Sequence, residues 1–498
     1  MGHDRQGRGR VVSARASVGD WSRRQYLTAA STSAVLGSVG LAGCLGGARD
    51  ENTIVMSGDT DFEGAMDGED AETSIQEALW DAGLDESITV DVQASVDDTD
   101  QRMQNYQSTL QAGRSPPDIF MMDSGWTLPF ILREQTTSMT EVLPDDVLSR
   151  VENDYLEASL ETARHPVTGD LHAIPLFPDF GLMQYRRDLV EDAGYDTSEW
   201  DTDPPTWQEF AEAAADARDE AGIEYGFTTQ AAAYEGLACC TFNEVMTTWG
   251  GAYFGGTETL FEAGDRPITV DSEPVLESVR MMRSFIFGDD ASDTLDGYPQ
   301  IAPSTIVQWT EEESLGPFAS GESVMHRNWP FSIMDLGAED EFGEDLGVMA
   351  MPYAISPEEA EFEGTGGSAN ALGGWHLTLN PNTDRTEMAV EVLEAFTQEE
   401  VMLTIFELLG YIPPEVELVA DADPDEVGPV ARYGEQIQQA ADNAIPRPVT
   451  DIWPEQASVI AQEINAAYRG AKTPEAALGD LSDRLERSEV DVEGQNGN

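Results

Sequence analysis

Tryptophan, aspartate and asparagine recur in this sequence beside glycine or proline, in positions typical of turns. The clearest groups are Asp123-Ser-Gly-Trp126, Pro178-Asp179-Phe180, Asn328-Trp329-Pro330 and Gly373-Gly374-Trp375. An indole held in a loop offers a flat apolar face, and a neighbouring carboxylate or amide can pair with hydroxyl groups. These residue types therefore indicate binding of a small ligand that has both apolar faces and hydrogen-bonding groups.

Further candidates lie after the first strand and near the carboxyl end of the chain. The full set predicted to contact a ligand is Asp59, Asp123, Trp126, Asp179, Tyr185, Trp249, Asn328, Trp329, Gly374, Trp375 and Arg447. The alternatives are a helix N-cap for Asp123, a turn for Asp179 and core packing for the tryptophans.

Patterns typical of catalysis or metal binding are missing from the sequence. The five histidines show no HExxH spacing, and we find no GxSxG motif. With 95 acidic residues, a pair of carboxylates somewhere is guaranteed and indicates nothing about glycoside hydrolysis. We expect no catalytic residue, no metal and no cofactor. For Cys239-Cys240 a buried thiol pair is the default expectation, with a vicinal disulfide as the alternative.

The first third of the chain predicts the elements that position these residues. Apolar runs at 53–56, 88–92 and 118–122 read as strands, and helical spacing falls between them at 75–82 and 101–113. Strands alternating with helices predict a parallel sheet, in which ligands lie at the carboxyl ends of the strands. Asp123 and Trp126 follow the third strand directly.

Later segments carry helix signals. Thr206 and Glu209 predict a capping box opening a helix that runs to Gly222, and 384–410 reads as two consecutive helices. A last helix begins at Thr473-Pro474 and places Leu478, Leu481 and Leu485 on one face, whereas 421–427 reads as a charged loop.

The charge is strongly negative along the whole chain. Against 95 acidic residues there are 26 basic ones, for a net charge of −69. Such self-repulsion destabilises a compact state in dilute salt and is screened near 1 M salt, so the composition predicts a halophilic protein. Nucleic acid is excluded as a partner, because phosphate contacts require clustered Lys and Arg.

The amino-terminal segment predicts export. Arg23 and Arg24 precede a run of small and apolar residues over 29–43, which ends at Cys44. The paired arginines resemble a twin-arginine signal, and Leu41-Ala42-Gly43-Cys44 resembles a lipobox. The alternative, a transmembrane anchor, is disfavoured because the run is shorter than the roughly 20 residues that a spanning helix needs.

Several loose motifs occur in a recognisable order along the chain. They are Pro117 to Trp126, Leu171 to Leu189, Pro205 to Phe210, Phe318 to Pro330, Leu372 to Leu377, Ile445 to Pro448 and Gly470 to Ala477. This order resembles the family 1 extracellular solute-binding proteins of ABC sugar importers, the group with the maltose- and trehalose-binding proteins, in a haloarchaeal type. The resemblance covers nearly all of the chain after Cys44.

The resemblance implies a two-lobed α/β clamshell, in which each lobe has a central β-sheet flanked by helices and the chain crosses a hinge several times. Crossings are expected near 173–179, 368–373 and 410–414. The expected organisation is a signal over 1–44, a tether over 45–52, lobe 1 over 53–175 and 370–410, lobe 2 over 176–369 and 411–488, and a disordered tail over 489–498.

The resemblance also implies a function: a monomeric lipoprotein on the extracellular face of the membrane that binds a mono- or disaccharide, such as maltose, trehalose or glucose, and delivers it to ABC permease subunits. A sugar has apolar C–H faces and rings of hydroxyls, which suit the tryptophan and aspartate groups. The alternatives are the same fold binding a polyamine or another small solute, a secreted carbohydrate-active enzyme and an adhesive surface lipoprotein.

Overall fold

The apolar runs near the start of the described chain form three parallel strands, as the sequence predicts. The computed structural model describes residues 50–496, with gaps at 69–72, 97–98, 262 and 290. Strand β1 (Thr53–Gly58) pairs in parallel with both β2 (Thr89–Ala94) and β3 (Ile119–Asp123). The three strands therefore deliver their carboxyl ends to one edge of the sheet.

Two sheets organise the unit that begins at Glu51. The remaining strands are β4 (Ile174–Phe180), β5 (Leu182–Arg186), β6 (Tyr225–Thr228), β7 (Ser323–Asn328), β8 (Leu346–Met349), β9 (Asn370–Leu379) and β10 (Ala444–Pro446). The first sheet has the order β10-β9-β3-β1-β2, with β4 paired to β9, and the second has the order β6-β7-β5-β8. Strand β9 is antiparallel to β3 and β4 and parallel to β10.

Helices cover these sheets. In chain order they are α1 (Thr60–Asp67), α2 (Ile75–Asp81), α3 (Thr99–Gln111), α4 (Ser124–Leu132), α5 (Met139–Val142), α6 (Asp145–Asp154), α7 (Glu157–Ala163), α8 (Arg187–Asp192), α9 (Trp207–Ala221), α10 (Phe242–Thr248), α11 (Glu273–Phe287), α12 (Glu311–Ala319), α13 (Phe331–Leu336), α14 (Thr386–Phe396), α15 (Glu399–Leu409), α16 (Glu417–Asp421), α17 (Pro424–Val427), α18 (Gly434–Asp442), α19 (Trp453–Tyr468) and α20 (Pro474–Asn496).

Local sequence signals predict several of these helices correctly. The Thr206 side chain accepts a hydrogen bond from the Glu209 N–H, and the Glu209 carboxylate accepts one from the Thr206 N–H, so the predicted capping box opens α9. The helix ends at Gly222, whose φ of 67° suits glycine. Helices α14 and α15 are the predicted consecutive pair. The predicted loop at 421–427 instead contains the short helix α17.

The chain passes from the first sheet to the second at Gly181, which alone separates β4 from β5. It is back in the first sheet at Asn370, and β10 later pairs with β9. The expected lobe boundary at 175/176 therefore falls inside β4, and β10, expected in lobe 2, joins the sheet of lobe 1. Both differences rest on backbone pairing at a sheet edge, which side-chain patterns do not reveal.

Each sheet has its own hydrophobic core. Helices α1, α2 and α15 pack on the first sheet through residues such as Phe62, Leu79 and Ile405. Around the second sheet, α9, α11 and α19 form a larger core that includes Trp207 and Phe285.

The last helix is longer than the sequence predicts. Leu478, Leu481 and Leu485 are buried, as predicted, but α20 continues to Asn496 where a disordered tail was expected from residue 489. Glu489 is only 4% exposed and forms an ion pair with Arg266 at 2.5 Å. That partner lies more than 200 residues earlier in the chain, so local polarity could not indicate the contact.

The cysteines are joined in a vicinal disulfide, so the default expectation of a thiol pair is wrong. Cys239 and Cys240 lie in a single π-helical turn, Leu237–Thr241, that leads into α10. Both side chains are buried.

The export signal predicted from Arg23, Arg24 and Cys44 lies outside the described residues. Among the helices that are described, none is long and apolar enough to cross a membrane.

Candidate ligand-binding site

Two predicted residues, Asp179 and Trp329, meet Gly373 of a third segment at the junction of the two sheets. Asp179 of β4 pairs with Gly373 of β9, and Trp329 directly follows β7 of the second sheet. A Cβ built on Gly373 would lie 3.2 Å from the Trp329 indole and 3.6 Å from the Asp179 Cβ. The six-membered ring of the indole therefore lies close to Gly373, beside the aspartate. We call this group, Asp179, Trp329 and Gly373, the platform.

The electrostatics of Asp179 suit a hydrogen-bonding partner. Removal from bulk water raises the pKa of its carboxyl well above the ordinary value, and the Arg327 charge opposes that rise. Among the described residues Asp179 forms no ion pair. A partly buried carboxyl without a cation partner is stabilised by any ligand that offers it hydroxyl or ammonium donors.

Asp59 and an unpredicted tyrosine extend the site along the first sheet. Asp59 caps α1 by accepting a hydrogen bond from the Phe62 N–H at 2.7 Å, and the Tyr411 hydroxyl lies 3.5 Å from its other oxygen. Tyr411 also stacks on Phe177 at 4.0 Å. Burial raises the pKa of the Tyr411 hydroxyl, and the Asp59, Asp61 and Asp179 charges raise it further. Tyr411 thus lies near both predicted aspartates.

Trp375 and Trp126 have different environments: Trp375 lies within β9, whereas Trp126 lies in α4, just after β3. Trp375 is half-buried, with the Arg102 guanidinium 4.7 Å from its ring centroid. Trp126 is 2% exposed and packs edge-on against Trp375 and Tyr106. Its Nε1 has no hydrogen-bond partner among the described residues. Trp126 therefore supports Trp375 from the core, and the prediction of direct ligand contact at Trp126 is not supported.

Asp123 and Arg447 are predicted residues, but they neutralise each other. Asp123 caps α4 through the Gly125 N–H and accepts a hydrogen bond from Arg447 Nη1 at 2.9 Å. The same nitrogen lies 2.8 Å from Glu235, and all three side chains are largely buried. Asp123 ends β3 of the first sheet, whereas Glu235 precedes the π-helical turn Leu237–Thr241 that leads into α10. We call these three residues the bridge.

Asn328 and Gly374 shape the backbone of the site. Asn328 is fully buried; its Oδ1 accepts a hydrogen bond from the Trp329 N–H and its amide nitrogen contacts His326. Gly374 has φ +123°, and a Cβ there would lie 2.5 Å from the Phe177 carbonyl oxygen. Asn328 thereby fixes the backbone at Trp329, and the missing side chain at Gly374 lets β4 approach β9 closely.

Two predicted residues lie away from the junction. Tyr185 is 1% exposed and packs against Trp200, with ring centroids 5.2 Å apart. The Trp249 Nε1 points at the Met281 sulfur at 3.3 Å, and its ring lies 6.4 Å from Tyr298. Tyr185 lies in the core of the second sheet and the partly buried Trp249 packs against that core, so the structure does not support ligand contact for either residue. Tyr185 lies within β5 and Trp249 follows α10, and in both cases the side chain contacts the core of the second sheet.

The junction has an excess of carboxylates. Partial loss of hydration and the nearby Asp61 charge raise the pKa of Glu312, so the start of α12 lies near α1. Arg327 and Arg447 are neutralised by Glu244 and by the bridge, respectively. No group of three His, Cys, Asp or Glu residues within the described ranges is arranged to hold a metal ion.

Four residues at the junction are not predicted from the sequence: Arg102, Glu235, Glu244 and Tyr411. Tyr411 lies in the predicted third crossing, which was a usable signal. Glu235 and Glu244 flank the cysteine pair, and Arg102 lies in a predicted helix. In a chain with 95 acidic residues, no local feature distinguishes the two glutamates.

Comparison with known proteins places this arrangement in context. A family model described as "Bacterial extracellular solute-binding protein" matches residues 81–427, more than half of the chain. A probable ABC transporter-binding protein of Deinococcus radiodurans is 24% identical over 404 residues, 80% of this chain and 85% of its own. The sn-glycerol-3-phosphate-binding periplasmic protein UgpB of Salmonella typhimurium is 21% identical over 396 residues, 76% and 82% of the two chains.

Solved structures share the fold. Maltose-bound MalE3 of T. maritima superposes with a TM-score of 0.70 at 24% identity, covering 87% of this chain and 99% of its own. A solute-binding protein of Agrobacterium radiobacter in complex with ribitol gives 0.68 at 15% identity, covering 88% and 99%. The predicted two-lobed α/β fold is therefore confirmed.

Proposed function

The chain belongs to the bacterial extracellular solute-binding proteins, and from that premise we propose that it is the receptor of an ABC importer for a neutral sugar. In this proposal the two lobes close on a mono- or disaccharide and present it to the permease subunits. The protein acts by binding and carries out no chemistry on its ligand.

The observation that carries the proposal is the platform. The Trp329 indole offers a flat face to the C–H side of a sugar ring, and Asp179 beside it accepts hydrogen bonds from hydroxyls. The half-buried Trp375 supplies a second face. Neighbouring structures carry maltose and ribitol, ligands rich in hydroxyl groups.

The charges at the junction argue against an anionic ligand, although UgpB is named for glycerol phosphate. Arg327 and Arg447 already face buried carboxylates. A phosphate would have to compete with these carboxylates and would meet Asp59 and Asp179 as well.

A polyamine is the second candidate ligand. The carboxyls of Asp59, Asp179 and Glu312 all have raised pKa values, so each gains from a cation placed beside it. Aromatic rings near these carboxyls suit an ammonium group equally well.

Thermal-shift screening of residues 51–498 in molar salt separates the candidates. The panel contains maltose, trehalose, glucose, ribitol, glycerol 3-phosphate and spermidine. A ligand that binds only the folded state raises its stability by about 2.7 kcal/mol at 100 times Kd, a shift of several degrees in Tm. We expect shifts with neutral sugars and none with glycerol 3-phosphate. A shift with spermidine and none with any sugar would overturn the sugar proposal.

An enzymatic alternative has its own test. A binding protein releases no reducing sugar from oligosaccharides over long incubation, whereas a glycoside hydrolase does. Steady release that co-purifies with the protein would exclude a purely binding role.

Export and anchoring are proposed from the sequence motifs alone. Arg23-Arg24 directs twin-arginine export and Cys44 carries the lipid, so the receptor stays beside its permease at high effective concentration. The variant Cys44→Ser should appear in the culture medium, and Arg23→Lys/Arg24→Lys should accumulate inside the cell. Retention of Cys44→Ser in the membrane fraction would contradict the anchor.

A further inference from the structure

The residue at the first chain crossing makes room for a buried ion pair. A Cβ on Gly181 would lie 1.8 Å from Glu244 Oε1 and 2.1 Å from Arg327 Nη2. Arg327 donates to Glu244 from Nε at 2.8 Å and from Nη2 at 2.5 Å. Both side chains are at most 1% exposed. We call Glu244 and Arg327 the hinge pair, because they lie against the chain crossing at Gly181. Only glycine fits at residue 181 beside them.

The hinge pair also holds the second crossing. Glu244 Oε1 accepts a hydrogen bond from the Ala371 N–H at 3.0 Å, at the start of β9. Ala371 in turn accepts a hydrogen bond from the Gly181 N–H at 3.2 Å. The carboxylate of Glu244, carried by α10 in the core of the second sheet, is thereby hydrogen-bonded to a strand of the first sheet.

The other face of Arg327 lies against the platform. Its guanidinium carbon is 4.1 Å from the centre of the Trp329 ring. The same indole lies close to Gly373, two residues after Ala371 in β9. Gln230 accepts a hydrogen bond from the remaining Nη1 at 3.3 Å. Hydrogen bonds from Nε, Nη1 and Nη2 thus fix the plane of the guanidinium, and its face lies against the indole.

Net stability does not explain such a pair. Burying two charges costs several kcal/mol of hydration, and replacing buried pairs by apolar residues of similar volume is often neutral or stabilising. What the pair offers is orientation, because the planar guanidinium has fixed donor directions and stacks on an aromatic face.

We infer that Glu244 and Arg327 are positioning residues that couple the hinge backbone at Gly181 and Ala371 to the orientation of Trp329 against the ligand. The inference rests on the proposed function for its ligand readout. It has a second readout, the environment of Trp329 itself, which requires no ligand.

The central variant is the double substitution Glu244→Gln/Arg327→Met, which removes both charges and leaves no buried ion unpaired. The single variant Arg327→Lys keeps the positive charge and loses the planar face. The matched control is Arg266→Met/Glu489→Gln, which removes the buried ion pair between Arg266 and Glu489 of α20. Like Arg327, Arg266 lies over an aromatic ring, that of Phe254, at 3.7 Å.

Two measurements are made on each variant, and its Tm is recorded as a third. The first is ¹⁹F NMR of protein labelled with 5-fluorotryptophan, with the Trp329 resonance assigned by Trp329→Phe. The second is calorimetric titration with maltose in molar salt, alongside Tm.

We expect both hinge-pair variants to shift or broaden the Trp329 resonance and to weaken maltose binding at least tenfold. These effects are expected even in a variant whose Tm equals that of the wild-type protein. The control should change Tm alone. An unshifted Trp329 resonance in the double variant would overturn the inference. Wild-type maltose affinity in that variant would overturn it equally.

Failure of the two proposals can be told apart. Absence of maltose binding by the wild-type protein counts against the sugar proposal and leaves the NMR result to decide the inference. A control variant that moves the Trp329 resonance as far as the hinge-pair variants do would show a general packing effect and overturn the inference.

Discussion

At the scale of single residues, the bridge holds two carboxylates against one cation. Arg447 Nη1 lies 2.9 Å from Asp123 and 2.8 Å from Glu235. A single positive charge cannot neutralise both in a buried site. Burial and, to a smaller extent, the Asp123 charge together raise the pKa of Glu235 to about 7, against the opposing effects of Arg447 and the Trp453 N–H. Glu235 therefore carries a proton over much of the acidic range.

This sharing predicts how stability depends on pH. The pKa of Glu235 is higher in the folded than in the unfolded chain, so its contribution to stability is complete below pH 4.5 and is lost as pH rises through about 7. Glu235→Gln resembles the protonated form and lacks this loss. We expect its stability relative to wild type to increase from pH 5 to pH 8.5 by up to about 3 kcal/mol. Denaturant unfolding across that range measures the difference, and a constant difference would contradict the assignment.

The tryptophans at the junction should contribute to binding more than to folding. Trp329→Ala and Trp375→Ala are each expected to weaken sugar binding at least tenfold, because a stacking face is lost. Trp249→Ala is the control, since Trp249 packs against Met281 in the second core. It should lower Tm and leave affinity unchanged in titration calorimetry. If the two junction variants unfold yet bind with wild-type affinity in their folded fraction, these tryptophans are core residues.

At the scale of elements, the start of α4 depends on a residue without a side chain. A Cβ on Gly125 would lie 2.3 Å from Arg447 Nη1 and 2.5 Å from its Cδ. Gly125 thus leaves the space through which the arginine reaches Asp123. The helix cap and the bridge share Asp123, so the first turn of α4 is linked through Arg447 to Glu235.

We expect Gly125→Ala to displace the Arg447 guanidinium and to destabilise the protein by about 2 to 4 kcal/mol, because two buried carboxylates lose their partner. Gly64→Ala in α1 is the matched control. Gly64 is a helical glycine with no atom within 4 Å of an added Cβ, so alanine there should be neutral or stabilising by up to about 1 kcal/mol. Equal unfolding midpoints in urea for both variants would contradict the bridge.

At the scale of the whole molecule, the net charge of −69 opposes the compact state. The Debye length falls from about 10 Å at 0.1 M salt to about 3 Å at 1 M, which screens the repulsion between exposed carboxylates. We expect Tm to rise steeply with KCl up to molar concentrations. Sucrose at equal osmolality should raise Tm less, because it screens no charge. Equal effects of salt and sucrose would contradict a halophilic adaptation.

The sequence by itself determined the features that depend on local order. The strand–helix alternation from Thr53 to Asp123, the capping box at Thr206 and the apolar face of the last helix are all present in the structure. Each is set by residue periodicity or by a hydrogen bond between near neighbours, so neighbouring residues are enough to predict it. The motifs predicted the family for the same reason: each is a short local pattern, and their order along the chain can be read without knowing any tertiary contact.

Only the tertiary structure decided which predicted residues share a site. Trp126 and Trp375 both stand beside glycine in the sequence and pack against each other, yet Trp126 is buried and Trp375 only half-buried. Arg447 finds its two carboxylates more than 200 residues away along the chain. Such pairings depend on how the sheets and helices pack together, and no local residue pattern encodes that distance.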